Sequence, residues 1–162
     1  MRLVEGVAVV EDLDAFLETL DGVSDDTGAT VQAFDARYVV DRRHLERAVE
    51  LADRAVERGE NVARDRGVEI LLYAAGRRQI NRALTMGVSE GETPVVAVCA
   101  GGDEGAAAAR LQELLAAGET LGDYDERLVG EFFDVTDREL AATAGGLADV
   151  VHERVALLDV EK

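Results

Sequence analysis

Apolar residues gather in four short runs along the chain and recur at helical spacing between and after them. "LVEGVAVV", residues 3–10, alternates weakly and predicts a strand. A short helix follows in "DLDAFLETL", whose acidic start suits the positive end of a helix dipole. "GATVQAFDA", residues 28–36, is β-branched and predicts a second strand. In "DRRHLERAVELADRAVERGENVARDRG" the positions Leu45, Ala48, Val49, Ala52, Ala55 and Val56 repeat at steps of three and four. Charge covers the other face, so this is the clearest helix, and Gly59 supplies its stop. "VEILLYAA", residues 68–75, is almost continuously apolar, which predicts a strand covered on both faces. Gly76 breaks that run, and "RRQINRALTMG" predicts a helix with Ile80, Ala83, Leu84 and Gly87 on a core-facing stripe. "TPVVAVCA" is a further buried strand.

The rest of the chain reads as helices in "EGAAAARLQELLAAG", "DYDERLVGEFF", "TDRELAATA" and "GGLADVVHERVALL", with Thr136 and Glu139 forming a capping box. No internal repeat is visible. Strands in the first two thirds and helices in the last third predict an α/β (α+β) fold. It is a single domain over residues 1–162, a mixed, mostly antiparallel sheet layered with helices, with a helical C-terminal third.

Composition narrows the function classes. With 48% hydrophobic and 31% charged residues and one proline, Pro94, the chain has the makings of a packed core rather than a disordered segment. No run approaches the 18 or so apolar residues of a membrane span, and the N-terminus lacks a leader pattern, so a soluble, cytoplasmic protein with no membrane partner is expected. Cys99 is the only cysteine, which excludes an internal disulfide. With His44 and His152 far apart there is no zinc pattern, so neither a metal nor a small-molecule cofactor is expected. No catalytic residue stands out. "CAGGDEG", residues 99–105, has neither phosphate-loop spacing, and Asp103 and Glu104 repel phosphate.

Charge changes the picture more. Sixteen arginines and Lys162 face 34 carboxylates, a formal net charge of −17. Such a balance resembles a salt-adapted, archaeon-like proteome, in which carboxylates keep protein dissolved in concentrated salt. Its distribution is uneven: residues 37–82 hold eleven arginines against eight carboxylates, a net of +3, while everything else carries six cations against 26 carboxylates. Within that stretch "YAAGRRQINRA" sets Arg77, Arg78 and Arg82 together after Gly76.

A strand, a glycine and a helix start offer free backbone N–H groups to an anion. On the predicted helix Arg78 and Arg82 share a face and Arg77 sits beside Asn81. Gln79 has a donor and an acceptor for a base edge, and Tyr73 at the strand end offers a ring for stacking. These parts suit the end of a single-stranded nucleic acid. The competing reading is a small α/β nucleotide-binding domain or enzyme that uses the Gly76 strand–helix junction as its anion site.

Residues 43–88 also resemble the signature stretch of the regulatory subunit of the KEOPS complex, the family that includes the human PRPK-binding protein. The matching features are His44 and Leu45, Ala48 and Ala55, Asn61 with Ala63, the run Glu69-Ile70-Leu71-Leu72-Tyr73, then Gln79-Ile80, Ala83 and Gly87. The resemblance implies a non-catalytic subunit of an assembly that makes threonylcarbamoyladenosine in tRNA. Such a subunit docks on the small kinase-like ATPase subunit and, in archaea, recruits tRNA by its single-stranded 3′ CCA end. It implies a tRNA role for Arg77, Arg78, Gln79 and Arg82, with Tyr73 and Asn61 beside them. It also implies kinase docking by the C-terminal helix, where Leu147, Val150, Val151, Val155 and Leu158 form a stripe that equally suits the core.

Overall fold

The computed structural model describes residues 1–161. Three antiparallel strands, β1 (Arg2–Val10), β2 (Thr30–Asp35) and β3 (Gly91–Ala100), pair in the order β1-β3-β2. Both edge strands therefore precede the central one in the chain. Val4 stands opposite Ala97 and Gln32 opposite Val98.

Alternation along the strands divides the interior in two. Val96, Val98 and Ala100 with Phe34 face one side; Val95, Ala97 and Cys99 with Val4, Ala8 and Ala33 face the other. The second side is covered by α1 (Leu13–Thr27) and α5 (Glu104–Leu114), through Leu20, Val23, Ala107 and Leu111. The first is covered by α2 (Arg42–Arg58), α3 (Arg66–Ala75) and α8 (Leu147–Glu161). Two short helices, α6 (Glu126–Phe132) and α7 (Asp137–Ala142), lead into α8. The expected mostly antiparallel sheet layered with helices is present, antiparallel throughout rather than mixed and with three strands instead of four.

The missing strand is residues 68–75, which form α3. Its ends are both capped: Asp65 Oδ1 accepts the Val68 N–H at 3.0 Å. At the other end Gly76, at φ 61°, donates to Tyr73 O at 3.1 Å while Arg77 N–H reaches Leu72 O at 3.1 Å. Because α3 lies between β2, α2 and α8, its residues are buried on every side, and a helix hydrophobic all round reads like a doubly covered strand.

That correction shifts its neighbours. The helix expected over residues 77–87 shrinks to α4 (Ile80–Ala83) and one 3-10 turn, Leu84–Met86. Ala83 and Met86 face the core; Ile80 and Leu84, expected inside, are 44% and 57% exposed. Along α8, Val150, Val151, Val155 and Leu158 are buried and Leu147 is half-buried, so the stripe is part of the core rather than a free docking face. No helix among the described residues is long and apolar enough to cross a membrane.

Two buried polar side chains fix the α2–α3 hairpin. His44 is enclosed in the first turn of α2 and bonds Ala74 O at the far end of α3. Glu69, also enclosed, accepts the N–H groups of Val62 and Ala63 at 3.0–3.2 Å and so shapes the loop between the two helices. Leaving such a carboxylate unmatched indoors costs several kcal/mol, of order 3–5.

Candidate nucleic-acid interface

Gly76 ends α3 in a left-handed turn that leaves helix carbonyls, the negative dipole end, at the junction. The anion site expected there from a strand and a helix start does not form, and α4 is a single turn whose Gln79 makes no side-chain cap. The basic cluster depends on side chains instead.

Arg77 runs inward. Its Nη2 donates to the carbonyl of Phe132 and lies 3.3 Å from Asp134 Oδ2, and its guanidinium carbon sits 5.2 Å from the centroid of the Phe132 ring. Phe132 is braced edge-on by Tyr38 at 5.6 Å and by Phe133 at 5.0 Å. Beside this pair opens a polar hollow of about 380 Å³. Arg82, Asn81 and Thr85 line one wall; Glu131, Phe132 and Asp134 line the other. Arg82 is exposed and has no ion-pair partner among the described residues. Arg78 and Gln79 lie exposed on the turn beside it.

Two expected members are elsewhere. Tyr73 is enclosed in the core and its hydroxyl donates to Asp159 Oδ1 at 3.2 Å, so it has no free face for a base. Asn61 lies at the opposite end of α3, about 15 Å along that helix, and its amide holds Ala63 O at 2.8 Å. The aromatic ring at the cluster is Phe132, 55 residues beyond Arg77, and no local sequence signal could have joined them. Asn81 and Thr85 were within reach of a helical-face argument; Glu131 and Asp134 were not.

Chemically the hollow is balanced: two guanidiniums face two carboxylates, so it exerts little long-range pull on phosphate. It provides contact-range groups, namely a fork for phosphate in Arg82, a carboxamide in Asn81, and one edge-braced ring. A model of the kinase binding protein CGI-121 family matches residues 10–159, from the last residue of β1 to near the end of α8. The chain belongs to that family. Compared one by one with curated proteins, it matches none.

The fold assigns the quoted residues of 43–88 a physical role. His44, Leu45, Ala48, Ala55, Ala63, Glu69 and Tyr73 are all buried where α2, the following loop, α3 and α8 meet. Most of those positions therefore describe a folded hairpin, and the exposed ones among them are Gln79 and Ile80.

Proposed function

We propose that the protein is the non-catalytic regulatory subunit of a KEOPS-type assembly, which binds the small kinase-like ATPase subunit and recruits tRNA by its 3′ CCA end. Membership of a kinase-binding family over residues 10–159 carries this reading. The RNA half rests on Arg82, which lines a hollow braced by Phe132, and on Arg78 and Gln79, exposed on the turn that precedes it in the chain. Net −17 makes contact-range recognition the only economical route, because a chain this acidic repels phosphate at distance. Arginine serves that purpose better than lysine, since its weakly hydrated planar fork binds phosphate in two places and stacks on bases. For the kinase half, α8 carries Leu157 and Val160 outward, 38% and 79% exposed and three residues apart on one side. Co-purification with the kinase-like subunit, followed by titration with a CCA-ended and a CCA-deleted RNA, tests both halves separately. Equal affinity for the two RNAs removes the second half and leaves the first.

A further inference from the structure

The outer edge of β2 is open, and its polar groups can be assigned. Val7 exchanges both backbone bonds with Ala116, outside the sheet, at 2.9 Å. Even-numbered positions of β1 therefore face β3, and antiparallel alternation carries through the central strand to make Gln32–Val98 a hydrogen-bonded pair. Val31 and Ala33 then direct their N–H and C=O groups away from the sheet. One of these groups is occupied: Gln32 Nε2 donates to Ala33 O at 3.1 Å, in the position of a neighbouring strand's N–H. Among the described residues no partner outside the sheet is found for the other three.

This edge is the floor of a groove. Leu13, Leu17 and Leu20 of α1 form one wall, and Leu71, Leu84 and Val88 the other, around about 360 Å³. Through Leu17, Val31 and Leu84 it continues into a second hollow of about 460 Å³ that ends at Arg66. Leu17 and Leu84 are 44% and 57% exposed. Gly67 keeps the floor clear, since a Cβ there would stand 3.2 Å from Gln32 Oε1. On α1 Asp14, Glu18, Asp21 and Asp25 are exposed at steps of four, three and four, one acidic ridge whose Asp21 lines both hollows.

We propose that this groove receives an extended segment of a partner protein, which adds as a fourth strand to β2. Its alternate apolar side chains enter the leucine-lined walls and its intervening lysines or arginines meet the α1 ridge. The strand edge supplies main-chain hydrogen bonds, and the walls and ridge supply selectivity. The Gln32 carboxamide is displaced from Ala33 O on binding. The acidic ridge opposes a nucleic acid here, so the surface is distinct from the arginine-lined hollow.

The probe is an acetylated, amidated octapeptide of alternating lysine and valine, titrated into the full chain while backbone amide exchange is followed. Slowed exchange at Val31 and Ala33 is expected. The fully N-methylated peptide, equal in charge but without N–H donors, binds weaker by about tenfold or more. Val31→Pro, which removes an outward donor and no sheet bond, lowers affinity similarly; Leu84→Asp, at an exposed wall position, gives the same loss if the proline variant does not fold. Absence of binding, equal binding of the N-methylated peptide, or protection confined to residues outside β2 overturns the proposal. Displacement of the peptide by a single-stranded oligonucleotide at Val31 and Ala33 also overturns it.

Discussion

His44 Nε2 lies 2.7 Å from the carbonyl oxygen of Ala74, tying the first turn of α2 to the last turn of α3. A carbonyl only accepts, so Nε2 carries the ring proton, and Nδ1 accepts the Val40 N–H at 3.3 Å. Both ring nitrogens are satisfied only while the imidazole is neutral. Burial lowers the pKa from 6.5 to about 4, against the upward pull of the Ala74 carbonyl.

The unfolded chain thus takes up a proton below pH 6.5 that the folded one refuses until about pH 4. The stabilisation is complete above the unfolded value and is lost as pH falls between the two, at a cost of about 2 kcal/mol from pH 7 to pH 5. Urea unfolding of wild type and His44→Gln at those two pH values should show that extra loss in wild type alone. Equal pH sensitivity would refute the assignment.

Arg77 and Arg82 should separate by phenotype. Arg77→Ala strands the Phe132 carbonyl and removes a ring contact, so it should cost stability, about 1–3 kcal/mol. Arg82→Ala should leave the melting temperature alone and weaken CCA-ended RNA, and Arg78→Lys should weaken it although charge is kept. Both losses should persist at molar KCl, where a charge is felt over only about 3 Å. RNA affinities of these two variants equal to wild type would reduce the cluster to a solvated surface.

For the kinase, the buried Leu158 is an uninformative target, since Leu158→Arg should unfold the chain. Leu157→Glu and Val160→Asp change exposed positions, so they should abolish co-purification with the kinase-like subunit at an unchanged melting temperature. Retained binding in both places the docking surface elsewhere.

Gly76→Ala should destabilise by about 1–2 kcal/mol for the left-handed backbone alone. A further loss is expected because the new Cβ stands 3.3 Å from Arg154 O of α8. Gly59→Ala, at φ 69° with open space around it, isolates the backbone part. Equal losses in the two variants would mean that α8 yields at that contact.

Self-repulsion in a chain of net −17 fades as salt shortens the Debye length from about 10 Å at 0.1 M to roughly 3 Å at 1 M. The melting temperature should therefore climb from dilute buffer to molar KCl. A flat or falling curve would contradict a salt-adapted surface.

Periodicity reported α2 well because one face of it is charged: Leu45 to Ala55 recur on the buried side, and arginines and carboxylates cover the rest. It failed on α3, where enclosure removed the polar face that distinguishes a helix from a strand. The deciding signals were punctuation, Asp65 before the run and Gly76 after it, which fit a capped helix as closely as a bounded strand. Ile80 and Leu84 were misplaced because the predicted helix stops after one turn and then tightens, which keeps Ala83 inward as expected and brings Met86 in beside it. Basic character at 77–82 was legible by composition. The Phe132 ring and the Asp134 carboxylate that restrain Arg77 arrive through tertiary contacts, which no spacing rule encodes.

The strand order has a consequence for biosynthesis. β1 and β2 do not pair with each other, so each must wait for β3, whose first residue is Gly91. During elongation the α2–α3 hairpin, built from contacts within some thirty residues, can consolidate while two strands remain without a partner. A nascent chain halted at residue 90 should thus show helical protection but no sheet, and its loose strands would be the species most exposed to mispairing with other chains. The density of carboxylates around them would then act first as a guard for the unfinished molecule.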